Sequence, residues 1–342
     1  MQGPPVVTKV FAYAGGQYTN QINSFEVDKT TGALNPTSQP SIASQTLPMT
    51  QDVLFNKKFL LSVNYSSHSF SVYGIEAASG NLSLIANTDL GAGTGPIWVT
   101  AHPSLPVAYV TQLGNAKIAI IDIDPDTGAA TVRGTLNGQS GVTATEINKA
   151  GTILYSADQN VDQVGIYSVD NTGGLTLVGH GSCPAGSNPN EVKIHPSGNF
   201  LYTANWTTGD VSGFAINGTT LTPINTLGGG SGGVYTVSLS PDGNFLYANK
   251  PYGAQMTTMS IDPVTGTLSS AVNETITGAV NVSFWGDFAF LVAWQGGGGE
   301  PILTRPFVSG TGFGATSSQT ANVIGLYNLV IVEIVQPAGG SN

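Results

Sequence analysis

Apolar and polar residues alternate along this chain in short runs, and the runs return in a fixed order. Residues 188–206 read "NPNEVKIHPSGNFLYTANW": an alternating run, a His-Pro-Ser-Gly turn, then a second run closing on an aromatic and small residues. Nearly the same phrase stands at 95–111 ("GPIWVTAHPSLPVAYVT"), 142–158 ("VTATEINKAGTILYSAD") and 234–249 ("VYTVSLSPDGNFLYAN"). Period-two alternation in runs this short predicts β-strands. Behind each phrase come a third run, such as "FSVYGI", "VGIYSV" or "VSGFAI", and a fourth, such as "NLSLIA", "LTLVGH" or "LTPINTL". Ser-Gly, Thr-Gly or Asn-Gly lies between the third and fourth runs, where a tight hairpin needs positive φ. Each unit therefore holds four strands.

The third residue of each "FLY"-like triplet anchors a repeat: Tyr13, Leu61, Tyr109, Tyr155, Tyr202, Tyr247 and Phe290, spaced 48, 48, 46, 47, 45 and 43 residues apart. A period in this range with several short strands per unit is the signature of propeller blades. The expected fold is all-β, a seven-bladed propeller of four-stranded antiparallel blades, with residues 1–342 as a single domain. The chain begins with "VTKVFAYAGG", a second strand lacking an inner partner, and ends with "GLYNLVIVEIV", a strand lacking a blade. Joining them closes the ring and removes two unpaired edges.

Composition narrows the partners. Ten Lys and Arg against twenty Asp and Glu give a net charge of −10, which excludes nucleic acid, whose binding rests on clustered cations. Only Arg133 and Arg305 are available as guanidinium forks, which weighs against a phosphorylated substrate. No apolar run approaches membrane-spanning length. The expected partner is a small-molecule substrate bound by a monomer or weak dimer. The single Cys183 rules out an intramolecular disulfide or a cysteine metal cluster. Asn64, Asn81, Asn205, Asn217, Asn273 and Asn281 each begin an Asn-x-Ser/Thr sequon, pointing to a secreted glycoprotein, and Met1-Gln-Gly-Pro-Pro reads as a start residue placed on a mature sequence.

Propeller ligands are expected over the innermost-strand entrances and the loops leaving the second strands. This topology puts Gln51, Asp52, Trp98, Thr143, Asn190, Glu191, Tyr235 and Asn281 at entrances, and His68, Trp206, Lys250, Tyr252 and Trp294 in loops. His102 and His195 fall in His-Pro turns at the opposite face and His180 late in an outer strand, which leaves His68 as the histidine for chemistry. Glu191, at a strand mouth, is a candidate acid or base with a raised pKa. Glu146 and Lys193 stand at equivalent positions in neighbouring blades and read as an inter-blade ion pair. Trp98, Trp206, Tyr235 and Trp294 would wall the funnel, with Tyr252, Gln51, Asp52 and Asn281 as further substrate contacts. Asn190, Thr143 or Lys250 would polarise a carbonyl. No metal and no cofactor are expected: the histidines are dispersed, "DIDPDTG" at 122–128 fits a strand and hairpin, and "GGGSGG" at 228–233 and "GGGG" at 296–299 read as flexible top-face loops.

The phrase "P-x-x-V-x-x-HP-x-G-x-x-LY-x-x-N" resembles the lactonase-type seven-bladed propellers, among them 6-phosphogluconolactonase-like proteins and the fungal 3-carboxy-cis,cis-muconate lactonizing enzyme; the secreted fungal branch is the nearest in character. The resemblance runs through all seven blades. It implies a cofactor-independent enzyme that closes or opens a ring. The muconate enzymes use a His, an Arg and a Glu, and those positions fall here on Thr143, Asn190 and Trp206. The expected function is therefore a ring-forming or isomerising step on a largely neutral substrate, such as a hetero-Diels–Alder cyclisation. Two alternatives stand beside it: a non-catalytic recognition glycoprotein, favoured by glycans at Asn64 and Asn205, and a muconate cyclase or lactonase of the ordinary kind.

Overall fold

The computed structural model describes residues 6–138, 140–184, 186–228, 232–294, 300–314, 318–323 and 327–337. They form seven antiparallel sheets arranged as blades one to seven around a central channel. In blade five the strands are Pro189–Ile194, Phe200–Asn205, Asp210–Asn217 and Thr220–Gly228, from the channel outward. Blades two, three, four and six follow the same order. Blade seven differs at its rim, where Glu300–Val308 pairs with both Gly312–Phe313 and Ser318–Val323.

Blade one is built from both ends of the chain. Leu329–Pro337 is its innermost strand and runs antiparallel to Val6–Gly16, with Tyr13 opposite Val330. The closure expected from the two orphan strands is the one found.

The repeated aromatics and glycines explain each other. The first two residues of each triplet belong to a second strand buried on both faces, as in Phe59–Asn64, where all six residues are buried. Tyr13, Tyr109 and Tyr202 then donate their hydroxyls to the carbonyls of Gly80, Gly173 and Gly266 in the outer hairpin of the next blade, at 2.9, 2.9 and 2.8 Å. Those glycines have φ of +73°, +84° and +72°, and a Cβ on any of them would run into Phe11, Val107 or Phe200 of the preceding blade. The hairpin glycine thus serves its own turn and the fit between blades.

At the opposite face the His-Pro turns do the same. His102 Nε2 meets the Gly151 carbonyl at 2.9 Å and His195 Nε2 that of Gly243 at 2.8 Å, one blade further on. His102 Nδ1 accepts the N–H groups of Ser104 and Leu105, so its proton sits on Nε2. Both histidines are structural, as their turns implied.

Candidate active site

The innermost strand of each blade is an edge strand, and the backbone groups on its channel side have no ladder partner. Side chains of the adjoining blade satisfy them. Thr50 accepts the Val99 N–H at 3.1 Å, Asp52 accepts that of Ala101 at 2.8 Å, Glu191 that of Val237 at 2.7 Å, and Ser238 that of Val282 at 3.0 Å. Asn328 and Gln51 exchange two bonds between blades one and two, and Ser283 donates to the Leu329 carbonyl across the closure. Thr100 bonds Thr145 between blades three and four. Much of the polar character of the channel wall is accounted for by this belt.

The channel holds two compartments that share Thr50, Trp98 and Asn281. The upper one, at the strand entrances, has a volume of about 330 Å³. Its apolar wall includes Met49, Tyr65, Ile97 and Trp98, and its polar groups come from Gln17, Thr143, Gln159, Asn190, Tyr235 and Tyr327. No Asp, Glu, Lys, Arg or His lines it among the described residues. The lower compartment, towards the His-Pro turns, is larger, about 670 Å³, and is lined by Asp52, Glu146, Lys149 and Lys193 as well as neutral residues.

In the upper compartment the Tyr235 hydroxyl donates to that of Tyr327 at 2.8 Å, with ring centroids 5.7 Å apart. Burial raises both phenol pKa values above the usual range. Both phenols stay protonated at neutral pH, and Tyr327, already accepting a hydrogen bond from its neighbour, is a strengthened donor. From Tyr235 an edge-to-face series continues along the top face through Trp206, Tyr252 and Trp294, at 5.7, 5.3 and 5.3 Å. Gly233 lies against Trp206 so closely that a Cβ there would collide with the Trp206 carbonyl.

Of the residues expected at the funnel, Trp98, Thr143, Asn190, Tyr235 and Asn281 line the upper compartment. Asn190 spends one amide hydrogen on the Tyr235 carbonyl at 2.7 Å. Others fall elsewhere. Trp206, Tyr252 and Trp294 lie outside that lining, beside Tyr235, and not as its wall. Gln51 accepts the Gly15 N–H at 2.9 Å and, with Asp52, belongs to the lower compartment. His68 is held at φ +51° with Nδ1 accepting the Gly95 N–H at 3.1 Å, outside the lining. Lys250 is fully buried and reaches the Gly209 carbonyl at 3.1 Å. It occupies the place three residues past the anchor that Asn64 and Asn205 fill in their blades, but its bond crosses from blade six to the turn before the third strand of blade five.

Glu191 also departs from its expected place at the mouth. A bulge at Asn190 displaces the register by one, and Glu191 turns into the junction of blades five and six, completely buried. Burial pushes its carboxyl up to about 7, against the pull of Lys193 and the Val237 N–H. Lys193 lies 3.1 Å from Glu146 and 3.4 Å from Glu191, with its ammonium 5.4 Å above the Trp98 ring. The inter-blade ion pair is present and forms the floor beneath Trp98. Burial likewise pushes Asp52 up to about 6.

The sequons divide in two. Asn64 and Asn205 are fully buried and bonded to Ser71 and Ser212 at 2.8 Å each, and Asn281 faces the channel. Asn217 and Asn273 are exposed, and Asn81 is half-buried. Glycans at Asn64 and Asn205, the support for a recognition glycoprotein, do not fit this fold. Of the glycine-rich loops, residues 229–231 and 296–299 lie outside the described residues.

Tyr327 was not among the sequence candidates. The signal for Tyr327 was available: once "GLYNLVIVEIV" is the innermost strand of blade one, its lead-in residue is equivalent to the other entrances.

Seven blades surround an axial channel with two compartments, the upper lined by uncharged residues and the lower by charged ones as well, among the described residues. Residues 54–227 match the family of seven-bladed lactonase β-propellers, and the chain belongs to that family. No curated protein matches it in sequence. Among solved structures it is similar to a candidate 6-phosphogluconolactonase from Bacteroides uniformis (17% identity, 95% of this chain and 99% of that one, TM-score 0.84). It is also similar to one from Bacteroides fragilis (19%, 95% and 98%, 0.83) and to the periplasmic gluconolactonase of Pseudomonas aeruginosa (19%, 95% and 99%, 0.81). At these identities the likeness is one of fold. The scaffold is of the lactonase and cyclase type.

Proposed function

We propose that the chain is a ring-forming enzyme acting on a small, uncharged organic substrate in the upper compartment. The observation that carries this reading is the Tyr235–Tyr327 pair, a protonated double phenol in an uncharged, aromatic-walled pocket. Such a pair donates a hydrogen bond to a carbonyl and does not remove protons. That chemistry suits a hetero-Diels–Alder cyclisation, in which three π bonds become one π and two σ bonds while no atom leaves and no proton moves. The Tyr327 hydroxyl would bond the carbonyl of the heterodiene and lower the barrier as charge shifts onto oxygen. Trp98, Ile97 and Tyr65 would hold the partners face to face, and exclusion of water would do the rest.

Lactone hydrolysis is less well supported, because it needs a base to activate water, and the carboxylates of Asp52 and Glu146 lie in the lower compartment beyond Trp98. The test is turnover of a panel of neutral heterodienes and of neutral aryl and sugar lactones by the wild type, Tyr327→Phe and Asp52→Asn. Cyclisation with kcat reduced about 10- to 100-fold in Tyr327→Phe, KM little changed, and Asp52→Asn active, is the expected result. Lactone opening that depends on Asp52 and not on Tyr327 would overturn it.

A further inference from the structure

The chain has twelve tyrosines, and their distribution is uneven. Seven are fully buried between blades. The remaining five, Tyr18, Tyr65, Tyr235, Tyr252 and Tyr327, all stand at the mouth of the upper compartment. Tyr65, Tyr235 and Tyr327 line it. Tyr18 follows Gln17, which lines the compartment, in the first top turn. Tyr18, Tyr65 and Tyr252 are 51%, 37% and 64% exposed, so much of each ring faces solvent.

We infer that this rim, continuous with the pocket beneath it through Tyr65 and Asn190, is a binding platform for a neutral oligosaccharide, a function that can be tested independently of turnover. Sugar rings present apolar C–H faces that stack on aromatic rings, and hydroxyls around their edges that need amides and phenols. The mouth offers both. Its rings are Tyr18, Tyr65 and Tyr252, and the amides of Gln17, Gln159 and Asn190 lie just inside. The absence of charged groups from the described lining fits an uncharged glycan and disfavours uronic or sulfated ones. A protein partner would be met by an interface core that adds arginine to its aromatics, and both arginines of this chain are engaged elsewhere, Arg133 with Asp122 and Arg305 with Glu274.

The platform is also held in place before any ligand arrives. Tyr252 lies in the short 3₁₀ turn Pro251–Gly253, stopped by Ala254 at φ +50°, and its ring is wedged edge-on between Trp206 and Trp294. Little side-chain freedom remains to be lost on binding.

The probes are three neutral hexasaccharides: β-1,4-linked glucose, β-1,3-linked glucose and β-1,4-linked N-acetylglucosamine. Calorimetry and tryptophan emission follow their binding to the full chain, to Tyr18→Ala and Tyr252→Ala, and to Val264→Ala in an exposed turn between the outer strands of blade six. The substituted residues are exposed, and an unchanged thermal midpoint verifies each fold. Millimolar or tighter binding of at least one hexasaccharide is expected, weakened about three- to tenfold in either tyrosine variant and unchanged in Val264→Ala. No binding at millimolar concentration, or binding indifferent to both tyrosines, overturns the platform. Neither readout involves catalysis, so a failure here leaves the ring-forming proposal standing, and the reverse.

Discussion

The Glu191 carboxylate on blade five ends on the backbone N–H of Val237 on blade six, at 2.7 Å. A buried acid with a raised pKa beside a channel has the outward marks of a catalytic group. Its geometry is that of a cap on an edge strand. Glu191→Gln keeps an acceptor for Val237 and should change stability little. Glu191→Ala leaves that N–H and Lys193 short of a partner and should cost about 2–4 kcal/mol. Urea unfolding of the two variants separates the outcomes, and in Glu191→Gln any loss of turnover should be slight.

Asp158 stands three residues past its anchor, where blades two and five carry Asn64 and Asn205. It is fully buried, accepts the Ser156 hydroxyl at 2.8 Å, and is pushed by burial up to about 7. Its folded pKa lies above its unfolded one, so its contribution is complete below about pH 4 and is lost as pH rises towards 7. Asp158→Asn should therefore leave stability at pH 4 nearly unchanged and raise it at pH 8, by up to about 4 kcal/mol. Denaturant midpoints across that range give the answer.

His102 behaves in the opposite sense. Burial holds its pKa below the usual histidine value, so the neutral ring is favoured in the fold. Its share of stability is present above about pH 6.5 and is lost as pH falls, because the unfolded chain takes up the proton first. His102→Ala should cost about 1–3 kcal/mol at pH 8 through the orphaned Gly151 carbonyl and the N–H groups of Ser104 and Leu105. Turnover at the far end of the channel should be untouched, which an activity measurement below the unfolding temperature would reveal.

Expression in a glycosylating secretory host should give sugars at Asn217 and Asn273 and none at Asn64, Asn205 or Asn281, since a glycan on those three must replace the contacts that hold their amides. Site-resolved mass spectrometry after endoglycosidase treatment decides this. Occupancy of Asn205 in folded protein would contradict the described packing.

Blade number, strand order and closure were legible because they repeat: a single phrase written seven times averages out local ambiguity. The site was legible in part. Trp98, Thr143, Asn190, Tyr235 and Asn281 line the upper compartment, the height at which their distance to an anchor put them. Glu191 does not, because the bulge at Asn190 shifts the face that every later residue of the strand presents. Lys250 and His68 misled for a different reason. Both lie at the top, but height along a strand says nothing about which neighbour a side chain meets: Lys250 reaches back to the Gly209 carbonyl of blade five, and His68 to the Gly95 N–H. Tyr327 was overlooked because it belongs to blade one while lying at the far end of the chain.

That last position has a consequence for how the protein comes into being. The closing strand Leu329–Pro337 is synthesised after the other described strands, and Tyr327, the proposed donor to substrate, leads into it. During translation the other six blades can be complete while the pocket still lacks one side. The proposed donor reaches Tyr235 only when the ring shuts, so pairing of the two chain ends in blade one and assembly of the Tyr235–Tyr327 pair are one step.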